Sequence, residues 1–367
     1  MKNIKKYPVI IFFAIFLYGL SIADLFSPIE ERSELENRDL VKFPEFHLKT
    51  LIENEYTPKI EDFTEDHFII RNSWISLKSI SESLLGKNEN NGVVYGKDGY
   101  LFTKSLKPDV EQREKNITAL EKFISTNSDK NIKVMVVPTA PNILTQYVED
   151  GSPVNKADEL ISQIKERIDS KYIFDVTDTL KSHSEESIFY RTDHHWTSLG
   201  AYYAYNDYMT NIGKSPKAKE DFNFVNVDNF LGTHYSKAKN FNVEPDTMTY
   251  VENNSQIEIN GNLSPIYDYD KLDTRDKYAM FLRGNNAFSS VKGNGTDKIL
   301  IIKDSYANSF IPFMTDDFSQ IDIVDMRFYN SSVNKLVKEN NYQQILFLYN
   351  SETFDTETTI PKINLFN

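Results

Sequence analysis

Short apolar runs recur along the chain at residues 133–138 (KVMVVP), 172–176 (YIFDV), 298–302 (KILII), 321–324 (IDIV) and 344–348 (QILFL). A strand with one face in water alternates apolar and polar side chains; these runs do not alternate, so each expects cover on both faces. Amphipathic stretches lie between them, among them residues 116–127 (NITALEKFISTN) and 157–168 (ADELISQIKERI). Buried strands alternating with helical segments predict an α/β fold, a parallel sheet sandwiched between helices. The 367 residues allow one large or two modest domains with a well-buried core.

The N-terminus has a different character. Lys2, Lys5 and Lys6 precede residues 8–23 (PVIIFFAIFLYGLSIA), which carry no charge. Residues 1–26 therefore read as a signal anchor or a signal peptide. A helix through Phe26 would reach about 28 Å against a hydrocarbon core of about 30 Å. Its density of Phe, Ile and Leu suits a retained anchor, whereas Ser21-Ile22-Ala23 suits cleavage near Ala23 and secretion. Both readings place Asp24 onward outside the cytoplasm; a buried core helix is the remaining alternative.

Residues 27–90 form a charged N-terminal extension expected to pack on the domain that follows. Within it, Ile69, Ile70, Trp74, Ile75, Leu77, Ile80 and Leu84 recur at helical steps and predict an amphipathic helix over residues 66–85. At residues 91–102 (NGVVYGKDGYLF), two β-prone runs flank Gly96-Lys97-Asp98-Gly99, a hairpin signal that opens the main domain, residues 91–367. Between about 214 and 291 periodicity fades into Asn-, Asp- and Lys-rich sequence. This reads as a long loop-rich insertion with short strands at 248–252 and 256–259, ordered by its aromatics.

The side-chain inventory narrows the chemistry. There is no cysteine, which excludes disulfides, thiolate catalysis and Cys-ligated metals, and there are six histidines. The 41 basic and 54 acidic side chains leave a net charge of −13, which disfavours a nucleic-acid partner.

Ligands of open α/β sheets gather at the carboxyl ends of the strands, and two segments there carry chemistry. In residues 191–200 (RTDHHWTSLG), Thr197 or Ser198 can cap a following helix. If the preceding residues are extended, Asp193 and His195 face one side and His194 the other. Asp193 can then accept from Nδ1 of His195 and leave Nε2 as a base. A purely structural Asp–His bond and a metal site are the alternatives; adjacent histidines do not easily turn onto one ion, so no metal is expected. In residues 298–313 (KILIIKDSYANSFIPF), a buried strand runs into Asp304-Ser305 before a helix. A serine there exposes its hydroxyl beside free N–H groups that suit an oxyanion, although Asp and Ser are also ordinary helix caps. Paired with Asp193 and His195, Ser305 completes an acyl-transfer constellation.

The strings DHHWT at 193–197, Asp-Ser at Ser305, ENRDLVKFP at 36–44 and NGVVYGKDGYLF at 91–102 together resemble the bacterial DHHW proteins. These are relatives of the alginate O-acetyltransferases of the AlgJ and AlgX type within the SGNH-hydrolase-like superfamily. The resemblance implies a three-layer Rossmann-like SGNH domain with permuted motif order, its serine late in the chain. It maps the family's Asp-x-His pair onto Asp193 and His195 and its nucleophile onto Ser305. It further implies an extracytoplasmic O-acetyltransferase that modifies an exported polysaccharide beside a membrane-bound O-acyltransferase partner, with no cofactor on this chain because the partner supplies the acetyl donor. Lys303 stands where a Gly-Asp-Ser motif has glycine. Asn142, Arg327, Asn350 and Tyr306 are the candidates for oxyanion or substrate contacts. An acetylesterase of the same superfamily and a non-catalytic polysaccharide-binding component are the competing functions.

Overall fold

The computed structural model describes residues 7–105, 109–154, 156–239 and 243–365, so Lys2, Lys5 and Lys6 lie outside the described residues. The chain divides into two compact units, one of residues 1–88 with 239–241 and one of residues 89–238 with 242–367.

In the smaller unit, helix α1 (Pro8–Leu25) has no buried residue and is long and apolar enough to cross a membrane or to serve as a signal sequence. The expected helix over 66–85 is broken: Tyr56–His67 and Arg71–Leu84 are separate helices. Ile70 between them adopts a left-handed φ of 49°. The ENRDLVKFP string supplies part of a charge cluster. Arg38 pairs with both carboxylate oxygens of Asp66, one of which also accepts from Val41 N at 2.9 Å, while Arg71 reaches Glu36 at 2.7 Å. The Arg38 hydrogen bond holds the Asp66 carboxyl down at about 2, against the effect of its burial.

The larger unit is built on seven strands: β1 (Ile132–Val137), β2 (Gln256–Ile259), β3 (Asn262–Pro265), β4 (Phe288–Lys292), β5 (Asp297–Lys303), β6 (Phe318–Val324) and β7 (Gln344–Asn350). Their order across the sheet is β3-β2-β4-β6-β5-β7-β1. The β6-β5-β7-β1 portion is parallel, and β4, β2 and β3 extend it antiparallel. The all-parallel expectation thus holds for the half of the sheet that bears the apolar runs. Along β5, Ile299 and Ile301 enter one hydrophobic core while Leu300 and Ile302 enter the other. Both faces of each central strand are covered, which is why these runs do not alternate. One face packs on α4 (Ser198–Asn211), through Ala201, Tyr205 and Tyr208. The other packs on α2 (Val110–Thr126) and α3 (Ala157–Arg167), through Leu120, Phe123, Leu160 and Ile164. The result is a three-layer α/β sandwich.

Two local expectations change. Residues 172–176 make an isolated bridge, Val134 to Ile173, instead of a strand, because Asp175 accepts from Thr177 N at 2.9 Å and turns the chain into a helix. The 214–291 stretch forms the two short strands expected near 248–252 and 256–259 and further strands beyond them. It contains an antiparallel pair, Phe224–Phe230 with Asp246–Val251, and contributes β2 and β3 to the main sheet. The 93–103 hairpin forms as read, with Asp98 at φ 53° and Gly99 at φ 79°.

Candidate active site

Strand β5 ends at Lys303, and the next three residues turn into the short helix Ala307–Phe310. Asp304 shapes this turn. Its Oδ1 accepts from Tyr306 N at 2.9 Å, and its Oδ2 accepts from Asn350 N at 2.8 Å and Asn350 Nδ2 at 2.6 Å. Burial pushes the Asp304 carboxyl up, and these hydrogen bonds oppose it. Ser305 is left half-buried at the carboxyl edge of the sheet. Its N–H has no acceptor among the described residues.

The DHHW segment arrives from the neighbouring layer. A bridge between Phe189 and Trp196 and a bond from Thr197 N to Ile188 O at 2.9 Å close the loop that carries it. Thr197 caps α4 by accepting from Gly200 N. Asp193 Oδ1 accepts from His195 N at 3.0 Å and lies 2.5 Å from His195 Nδ1. Its Oδ2 accepts from Thr233 N at 2.7 Å and Thr233 Oγ1 at 3.1 Å. With Nδ1 donating to this carboxylate, Nε2 faces Ser305 Oγ as an acceptor at 2.8 Å. Burial opposes the Asp193 charge, yet the adjacent His194 and His195 and the bonds from His195 and Thr233 hold its carboxyl well below the usual range.

Two further bonds tie the loops together. Trp196 Nε1 donates to Tyr306 O at 2.9 Å, and Tyr306 OH donates to His194 O at 2.6 Å. Tyr306 is thereby a buried brace behind the serine turn. His194 does not point away, because the segment is a series of bends: its ring centroid lies 3.8 Å from that of His195, and its Nδ1 lies 2.6 Å from Thr233 Oγ1. Burial, reinforced by His195, holds the His194 imidazole well below its ordinary value.

Asp193, His194 and His195 each offer a ligand atom within 4.8 Å of the others. In this arrangement, however, those atoms are turned onto one another, Thr233 and Ser305.

The remaining sequence candidates bond other groups, and among the described residues none makes a hydrogen bond to the serine. Asn142 donates to Thr139 Oγ1 and accepts from Ala157 N. Arg327 binds Asp325 through both carboxylate oxygens. Asn350 holds Asp304 and caps the helix Ser351–Thr356.

Three residues of the insertion were missed by sequence reasoning. Thr233 and Gly232 form the floor under Asp193, and Tyr278 stacks on His195 at 3.8 Å. All lie in sequence without periodicity, where no local signal distinguishes them from loop residues.

A hydroxyl, an imidazole and a carboxylate in one hydrogen-bonded line, set at the carboxyl edge of a three-layer α/β sheet, place this chain in the SGNH-like class of fold. It belongs to the DHHW protein family, whose model matches residues 95–324. A DHHW family protein from Eubacterium siraeum superposes with a TM-score of 0.64 at 25% identity, covering 75% of this chain and 96% of that one. Bacillus cereus PatB1, solved with a sulfonyl adduct, gives a TM-score of 0.61 at 18% identity, covering 73% and 97%. In sequence, the chain is 26% identical over 186 residues to a probable alginate O-acetylase AlgJ of Pseudomonas syringae pv. tomato. That match covers 48% of each protein, so the chain spans about half the length of the curated relative it matches.

Proposed function

We propose that this protein is an extracytoplasmic O-acetyltransferase that moves acetyl groups onto hydroxyls of an exported polysaccharide through an acetyl-Ser305 intermediate. The observation that carries the reading is the line Asp193–His195–Ser305, with 2.5 Å and 2.8 Å between the interacting atoms. The similarity to a probable alginate O-acetylase supports acetyl transfer as the reaction class.

In the first half-reaction, Ser305 Oγ attacks the carbonyl carbon of an acetyl ester or thioester while His195 Nε2 takes its proton. The Ser305 N–H meets the developing oxyanion. Collapse expels the donor's alcohol or thiol, which receives the proton from His195. In the second, a sugar hydroxyl attacks acetyl-Ser305 with His195 again as base, and Ser305 leaves with the proton. Asp193 holds the imidazole tautomer throughout and stabilises the imidazolium.

The α1 helix supports retention at the membrane with the site on the outer side, where a membrane-bound O-acyltransferase partner delivers acetyl groups; no cofactor is assigned to this chain. The net charge of −13 favours a neutral glycan over an acidic one as acceptor. The test is Ser305→Ala in the producing cell, reading the acetyl content of its polysaccharide. Loss of acetylation is expected, and unchanged acetylation refutes the assignment. An acetylesterase would instead leave the polymer more heavily acetylated when Ser305 is removed.

A further inference from the structure

We infer that Tyr278 is a positioning residue that holds His195 and Ser305 in register for proton transfer and stabilises the imidazolium formed when Ser305 attacks. The inference rests on the reading of Ser305 as nucleophile and His195 as its base.

Tyr278 lies in the short turn Lys277–Met280 and is 5% exposed. Its ring lies nearly parallel to the His195 imidazole, with 12° between the planes and 3.8 Å between centroids. Its hydroxyl donates to Ser305 O at 3.1 Å and lies 3.2 Å from Ser309 Oγ. One side chain therefore spans both partners of the proton transfer: its face fixes the plane of the base, and its tip fixes the backbone of the nucleophile.

The ring is itself braced. Phe281 packs on it at 5.1 Å, and Phe281 in turn bridges to Tyr267. Burial pushes the Tyr278 phenol well above its ordinary range, so the hydroxyl remains a donor.

Hydrogen bonds from Nδ1 to Asp193 and from Ser305 Oγ to Nε2 align the ring of His195 but leave it free to tilt about the line between them. A stacked ring removes this freedom. The aromatic face carries negative electrostatic potential, so it attracts His195 more strongly once the imidazole is charged. That preference for the charged state is the differential binding that lowers a barrier.

The test uses phenylmethylsulfonyl fluoride on the full chain. Ser305 Oγ forms a bond to sulfur, the sulfur–fluorine bond breaks, fluoride leaves, and the serine proton passes to His195 and then to solvent. Tyr278→Phe keeps the stack but loses the bond to Ser305 O, and is expected to label about three- to tenfold more slowly than the parent, the worth of one hydrogen bond. Tyr278→Leu is expected to label about 10- to 30-fold more slowly, the range given by a buried cation–π contact. A second readout follows the stack itself by NMR: the His195 ring protons are shifted upfield by the stacked ring in the parent and in Tyr278→Phe, and lose that shift in Tyr278→Leu. Equal labelling in folded Tyr278→Leu, or no ring-current shift in the parent, would overturn the inference while leaving the nucleophile in place. A folded parent that does not label at Ser305 overturns both.

Discussion

Gly232 passes so close to Asp193 that a Cβ built on it stands 2.2 Å from the Asp193 Cβ and 2.3 Å from its Oδ2. No atom fits there, so glycine at 232 is what allows Asp193 to receive both bonds from Thr233. Gly232→Ala is expected to displace the carboxylate and with it the tautomer and tilt of His195. Displacements on the ångström scale cost up to about 100-fold in positioned chemistry, so Ser305 labelling should slow by at least about tenfold. Labelling at the parent rate would show that Asp193 tolerates the shift.

Asn350 serves two structures at once. Its amide nitrogen reaches Asp304 at 2.6 Å, and its Oδ1 caps the following helix through Glu352 N and Thr353 N. Asn350→Ala removes a helix cap, worth about 1 kcal/mol, and one hydrogen bond to a buried carboxylate, worth about 1–3 kcal/mol. Urea unfolding should show a loss of about 2–4 kcal/mol, with slower Ser305 labelling because Asp304 shapes the serine turn. Loss of stability with labelling unchanged would show that the turn holds without this bond.

Lys303 is 1% exposed, its Nζ bonded to Asn285 at 2.8 Å and Asn308 at 2.7 Å and 3.6 Å from Asp325. Burial pulls its ammonium down to about 8, partly offset by Asp325. The sign follows from proton counting. Between about pH 8 and the ordinary lysine value, the unfolded chain holds a proton that the folded chain sheds, so stability contributed by this site rises with pH. Relative to Lys303→Met, the parent should therefore gain about 2 kcal/mol in unfolding free energy between pH 7 and 9.5. Parallel pH curves for the two proteins would contradict the burial effect.

The central strands and two elements of the site were legible because their signals are local. Uninterrupted β-branched runs reported two-sided burial, and the i, i+2 spacing of Asp193 and His195 sufficed for one carboxylate to bind both the ring and the backbone of the histidine. Ser305 was legible from its place just after a strand. Its contact with His195, 110 residues away, was not measurable from spacing alone and came from chemical complementarity. In the 214–291 stretch the strands near 248–252 and 256–259 were read, but the roles of its residues at the site escaped. Of its strands in the main sheet, β3 pairs with β2 and β2 with β4, and none carries a long apolar run, so their pattern is weak locally. Thr233 and Tyr278 act through tertiary contacts that leave no periodic trace. The side of His194 was misjudged because the chain bends at each residue instead of extending. The amide of Asn350 looked free for a substrate because its acceptor Asp304 lies in another element.

The claim that Ser305 carries the acetyl group is tested most directly by mass spectrometry of the protein after brief exposure to p-nitrophenyl acetate without an acceptor. The account predicts one added acetyl group on the peptide containing Ser305, absent in Ser305→Ala and strongly reduced in His195→Ala, and discharged onto an added oligosaccharide. Acetylation elsewhere with Ser305 unmodified, or equal acetylation of Ser305→Ala, would contradict it.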